Sequence, residues 1–271
     1  VRHSGLDSRS AAAQIAGRKL MLNTQKADGM NYAPKGQARA VCQPGEFRFA
    51  AIGLDHGHIY GQCNGLLEAG GQLVWVFDPD PQKTAAFCKT YPGVQVARSE
   101  QQILDDPSLH LIASACVPCE RGPLGLRAMA HGKDYFTDKP PFTSLEQLAA
   151  ARRQVADTQR IFAVYYAERL HVEAAVRAGQ LIEQGAIGRV VQVLGLGPHR
   201  LNAPSRPAWF WDPQQYGGIL VDIGSHQIEQ FLFYTGARAA TVLHSKVGNY
   251  HHADFPAFQD FGDATLLADN G

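Results

Sequence analysis

Short apolar runs alternate with helical stretches from Phe47 to Tyr166, and only a few residues separate each run from the next. The run at 47–52 (F-R-F-A-A-I) ends on Gly53, and a helical stretch follows to Ala69 and the Gly70-Gly71 stop. The run at 72–77 (Q-L-V-W-V-F) ends on Asp78-Pro79, with a helix expected from about Pro81 to Tyr91. A short strand near 94–97, a helix near 100–106 and an apolar run at 109–115 continue the rhythm. It closes with a helix at 122–131 ended by Gly132, then strands at 134–137 and 160–166 around a helix at 144–158. Parallel strands need crossover connections, and near-continuous apolar strands need cover on both faces. The alternation therefore predicts a Rossmann-type, doubly wound parallel sheet over 47–166.

After Tyr166 the rhythm changes. A helix is expected from about Leu170 to Gln184, a β-rich run at 189–195, and a long polar and aromatic loop. Gly217-Gly218 then opens an apolar helix to about Tyr234, and strand-like runs follow at 240–247 and 264–268. Long β-runs around one helix predict an α+β domain over 167–271 with a largely antiparallel sheet, apparently incomplete at its C-terminal end.

Charge separates a leading segment from the rest. Lys+Arg and Asp+Glu are both 25, but residues 1–46 carry seven basic against three acidic side chains. That segment has no apolar core of a secretory signal and reads as an N-terminal tail, with Met21 and Met30 as candidate starts. Overall neutrality offers no field to hold nucleic acid. No apolar run approaches the ~20 residues that cross a bilayer, so no membrane partner is expected. Five cysteines make no paired framework, and a cytoplasmic location follows as the expectation.

Three motifs carry chemistry. The first is G-L-D-H-G-H-I-Y-G at 53–61, where a strand runs through a glycine turn into a helix. Such a turn offers backbone N–H groups and the positive end of a helix dipole to a pyrophosphate. Asp55 and His58 occupy the second and third glycine positions of G-x-G-x-x-G, and Gly57 is a shifted glycine. Asp55 repels a phosphate unless its side chain turns away. Gly53, Asp55, His56, Gly57 and His58 are the expected cofactor contacts of this turn. Asp78, 25 residues beyond Gly53, stands where a carboxylate can accept both hydroxyls of an adenosine ribose. The alternative role for Asp78 is a cap on the helix after Pro79.

The second motif is Asp138-Lys139-Pro140-Pro141, placed by chain order at the carboxyl edge of the sheet, where open α/β folds bind ligands. A lysine beside a cationic ring can have its pKa lowered into a useful range. The third is Y-G-G-I-L-V-D-I-G-S-H at 216–226, in which Asp222 and His226 are four apart. On one helix they share a face, so Asp222 is expected to orient His226 and favour its protonated form. Cys116-Val-Pro-Cys119 lacks the further ligands a zinc site needs and reads as a structural pair. No H-E-x-x-H or comparable pattern occurs, so no metal is expected.

Together these residues resemble the Gfo/Idh/MocA oxidoreductases, nicotinamide-dependent enzymes that act on sugars, inositols and related polyols. The family's E-K-P motif is matched by Asp138-Lys139-Pro140, and its W-to-G-G-G-x-x-x-D-x-G-x-H block by Trp209 through Gly217, Gly218, Asp222, Gly224 and His226. Val117-Pro118-Cys119 is similar to its proline-asparagine motif. Asp replaces Glu at 138, and Cys119 stands where Asn is common. The resemblance implies proton transfer and substrate orientation by Lys139, Asp222 and His226. It places Pro118, Asp138 and Lys139 beside the cofactor, NAD with NADP as the alternative, and implies a homo-oligomer for the complete protein.

Tyr166, Glu168 and Arg169 at the domain junction, with His199, Arg200 and Trp209 in the later loop, are the expected contacts to a sugar or polyol. The expected activity is hydride exchange between the nicotinamide and a secondary alcohol. An NAD-assisted glycosidase and a non-catalytic dinucleotide- or sugar-binding regulator are the alternatives.

Overall fold

The computed structural model describes residues 39–271. The expected tail at 1–46 therefore lies outside the described residues up to position 38. Its last residues run along the end of the first helix, with Val41 N–H donating to Ala69 O at 2.9 Å.

The first domain is built on six parallel strands: β1 (Arg48–Ile52), β2 (Gln72–Phe77), β3 (Gln95–Val96), β4 (Leu111–Ser114), β5 (Asp134–Asp138) and β6 (Phe162–Tyr165). Their order is β3-β2-β1-β4-β5-β6, with the reversal point between β1 and β4. Both faces are apolar because successive residues of each strand bury into opposite layers. Ala50, Ile52, Val74, Ile112 and Tyr135 join one cluster. Phe49, Ala51, Val76, Leu111 and Ala113 join the other, beneath Ile59 and Phe87.

The crossovers are α1 (His58–Glu68), α2 (Pro81–Thr90), α3 (Glu100–Leu104), α4 (Pro118–Ala130) and α5 (Leu145–Thr158). Local chemistry sets their starts. Asp80 caps α2 by accepting from Gln82 N–H at 2.8 Å, with Pro81 in the first turn. Ser144 does the same for α5 through Gln147 N–H. Helix α4 begins four residues before its expected start because Pro118 occupies a first-turn position, where its missing N–H costs nothing.

The second domain holds α6 (Ala167–His171), α7 (Glu173–Glu183), α8 (Pro213–Tyr216), α9 (Ile219–Asp222), α10 (Gly224–Thr235) and an antiparallel pair, β7 (Ala240–Gly248) with β8 (Phe261–Ala268). Two expectations need correction here. The run at 189–195 is not a strand: it pairs with no strand among the described residues. A cavity of about 1050 Å³ lies between residues 190–199 on one side and α10 and β8 on the other, so the run has no ladder partner. The helix expected to run from 217 to 234 is broken into α9 and α10. Ile223 N–H still reaches back four residues to Ile219 O, but His226 N–H reaches back only three, to Ile223 O.

Candidate active site

The glycine turn after β1 is shaped by a close backbone approach. Gly53 has φ +77°, and a Cβ there would lie 2.5 Å from Cys116 Cβ. Only glycine fits both constraints. Gly61 fills a similar need one turn into α1, where a Cβ would meet Tyr165 Oη at 2.5 Å. Gly57 gives α1 no side-chain cap, and no acidic residue stands in its first turn. The positive end of that helix is therefore compatible with a bound diphosphate, and the cradle fits a dinucleotide.

Asp78 does not cap the following helix; Asp80 does. The Asp78 carboxylate instead joins β2 to the glycine turn. It accepts from Leu54 N–H at 2.7 Å and from Asp80 N–H at 2.8 Å, with its side chain 2 % exposed. Each oxygen retains a lone pair for a ribose hydroxyl. Asp55 turns toward Lys83, 2.6 Å from its Nζ, and its other oxygen accepts from Val117 N–H at 3.2 Å.

His56 and His58 do more than line the turn. Their Nδ1 atoms lie 3.1 and 2.8 Å from the oxygens of Asp138, at the end of β5. Arg121, on α4, reaches the same carboxylate at 3.1 Å. It also donates to the carbonyls of Cys116, Lys139 and Pro140. Burial would raise the Asp138 carboxyl, but His58, Arg121 and His56 outweigh it and hold the group well below the usual range. His56, His58 and Asp138 place their ligand atoms within 4.8 Å of one another, with the guanidinium as the cation against the carboxylate. Sequence reading passed over Arg121. Its one signal is a charged residue placed directly before the small and apolar run G-P-L-G at 122–125.

Lys139 follows Asp138 at the carboxyl edge of the sheet, joined to Pro140 by a cis peptide. Its Nζ donates to Asp222 Oδ1 at 2.7 Å and to Asp222 O at 2.9 Å. This overturns the expected Asp222–His226 pair. With the helix broken at Ile223, Asp222 serves Lys139. Burial would raise the Asp222 carboxyl, but the charge and hydrogen bond of Lys139 hold it low. His226 is 3 % exposed, and its Nδ1 has no hydrogen-bond partner in the structure. Burial, reinforced by Lys139, pushes its pKa down to about 4, so the ring is neutral rather than protonated at pH 7.

Of the expected substrate contacts, three converge on His226. The Tyr166 ring stands edge-on to it at 6.0 Å, His199 stacks on it at 6.4 Å, and Glu168 Oε1 lies 3.8 Å from its Nε2. Glu168 also pairs with His199 Nε2 at 3.2 Å and raises the pKa of that ring. The other three go elsewhere. Arg169 is paired with Glu229 and lies over the Phe233 ring, a packing contact between α6 and α10. The Arg200 side chain is exposed, and its carbonyl accepts from Arg206. Trp209 packs into the aromatic cluster of Phe210, Tyr216 and Phe258.

Residues 47–166 match the oxidoreductase family with an NAD-binding Rossmann fold, and residues 175–271 match the GFO/IDH/MocA C-terminal domain. The chain belongs to the Gfo/Idh/MocA family. A scyllo-inositol 2-dehydrogenase (NAD(+)) of Bacillus subtilis is 26 % identical over 220 residues, which is 80 % of this chain and 61 % of that protein. A solved structure from Erwinia carotovora atroseptica, described in general terms as an oxidoreductase, is 53 % identical with a TM-score of 0.81. That match covers 83 % of this chain and 68 % of the other. Myo-inositol 2-dehydrogenase from Lactobacillus plantarum shares the fold at 21 % identity and TM-score 0.70, covering 84 % of this chain and 68 % of its own. The chain thus spans under two thirds of the length of the Bacillus relative. No helix among the described residues is long and apolar enough to cross a membrane.

Proposed function

We propose that the protein carrying this chain is an NAD-dependent dehydrogenase of a sugar, inositol or related polyol, with Lys139 and His226 handling the hydroxyl proton. The observation that carries this reading is the Lys139–Asp222 contact beside a buried, neutral His226 at the carboxyl edge of the sheet. When bound, the nicotinamide accepts or returns the hydride of a secondary alcohol. The glycine turn, Asp78 and the edge formed by Pro118, Asp138 and Lys139 are the residues that would hold the cofactor.

The remaining chemistry belongs to side chains of this chain. A neutral imidazole can accept the hydroxyl proton, and its unpartnered Nδ1 is a buried site for a hydrogen bond. The Lys139 ammonium favours the alkoxide that proton loss creates, and Asp222 fixes its position. Tyr166, Glu168 and His199 offer the mixed donors and acceptors that a polyhydroxy ligand needs. The NAD-dependent inositol dehydrogenase among the relatives supports this substrate class. Self-association is part of the same proposal, because β7 and β8 leave Val242, Leu243 and Leu267 at least half exposed.

The test is NADH production by the full-length protein over a panel of inositols and aldoses. Lys139→Met and His226→Gln should each lower turnover by about 10²–10⁴-fold, with NAD binding retained in His226→Gln. Near-normal turnover in both variants would falsify the assignment, and reducing sugar released without NADH would select the glycosidase instead.

A further inference from the structure

The glycine turn poses an electrostatic problem that the family fold does not solve by itself. Position 55, where the second glycine would admit a pyrophosphate, carries a carboxylate. Its neighbour across the turn, Asp78, is a second one. Two negative groups flank the place where a doubly charged diphosphate must approach. The structure holds one cation against both. Lys83, the third residue in the first turn of α2, lies 2.6 Å from Asp55 Oδ1 and 4.0 Å from Asp78 Oδ1. Burial would lower its pKa, but the hydrogen bond and charge of Asp55 with the charges of Asp78 and Asp80 raise it, so it is charged at neutral pH.

The second oxygen of Asp55 accepts from Val117 N–H, in the loop after β4. Asp55 thus links the glycine turn to that loop, and Lys83 links it to α2. A glycine at position 55 could make neither contact.

We propose that Lys83 is the counter-ion that allows NAD to bind a turn in which Asp55 has replaced the second glycine. Lys83 acts through Asp55 as a positioning residue, offsetting its charge and holding the carboxylate away from the diphosphate path. The inference concerns cofactor binding alone and stands or falls independently of the proton-transfer roles of Lys139 and His226.

Calorimetric titration with NAD at fixed low salt tests it, with thermal unfolding of each unliganded variant as the check on folding. Lys83→Met uncovers the Asp55 charge and should weaken NAD about tenfold, the scale of one uncompensated charge a few ångströms from a phosphate in a half-solvated site. The deficit should shrink in 1 M salt, where the screening length falls to about 3 Å. Lys83→Arg should keep the parent affinity. Asp55→Asn/Lys83→Met, which removes both charges and retains an acceptor for Val117 N–H, should recover affinity to within about threefold of the parent. An unchanged affinity in Lys83→Met overturns the proposal. So does a double variant as weak as Lys83→Met, since Lys83 would then act on Asp78 or on the cofactor rather than through Asp55.

Discussion

Lys139 and Asp222, 83 residues apart in sequence, are joined twice: the ammonium donates to the Asp222 carboxylate at 2.7 Å and to its backbone carbonyl at 2.9 Å. The pair ties the carboxyl edge of the parallel sheet to the break between α9 and α10. It fixes the position of a charged lysine by the packing of one domain on the other.

That double contact predicts the behaviour of Asp222→Asn. The side chains are 8 % and 13 % exposed, so the substitution leaves a lysine charge largely out of water with no carboxylate. Removing one partner of a buried pair costs about 3–5 kcal/mol, and a loss on that scale should appear in urea denaturation. Asp222→Ala should lose no less, and a shift below about 0.5 kcal/mol, the scale of an exposed pair, would show that the pair is solvated.

Arg121 should be among the most sensitive positions of the first domain. It is 1 % exposed and satisfies three carbonyls and the Asp138 carboxylate at once. Arg121→Met keeps much of the volume but strands those acceptors and leaves Asp138 with its two histidines and the Lys139 N–H, but no guanidinium. The expected cost is again about 3–5 kcal/mol, and Arg121→Lys should recover only part of it, since an ammonium lacks the forked geometry. Unfolding curves that overlay the parent for Arg121→Met would contradict this reading.

The depressed pKa of His226 gives stability a pH dependence of known sign. The unfolded ring binds a proton at its ordinary value near 6.5, whereas the folded ring does so only near 4. The contribution is therefore fully present above about pH 6.5 and is lost as pH falls from there to 4, on the order of 3 kcal/mol in total. His226→Gln should reduce the slope of the stability profile across that window without abolishing it, because burial also pushes His56 down to about 4. NMR titration should show an imidazole still neutral at pH 5.5; a midpoint near 6.5 would mean water reaches the ring.

The strand–helix alternation, the turn at Gly53 and the placing of Lys139 at a sheet edge were legible in the chain because each rests on local chemistry. Near-continuous apolar runs, a glycine turn at a strand end and a lysine directly after a strand need no knowledge of distant residues. The α/β class followed, and of the six residues expected to meet a substrate, Tyr166, Glu168 and His199 gather around His226.

Asp222 shows where local reading stops. Spacing of four residues implied a helical partner in His226, yet a buried lysine 83 positions away competes for the same carboxylate. A desolvated ammonium gains more from a carboxylate than a neutral ring does, so the distant partner prevails. Arg169 and Trp209 went to an ion pair and an aromatic cluster for the same kind of reason: helix packing placed Glu229, Phe233 and Phe258 within reach. The run at 189–195 has strand-forming residues and, among the described residues, no strand to pair with, since a ladder requires a neighbour that composition cannot supply. The amino-acid order alone thus determined the sheet, its turns and the residues available for chemistry. Tertiary structure decided which charges meet, because pairing energies in a desolvated interior depend on neighbours that sequence spacing does not specify.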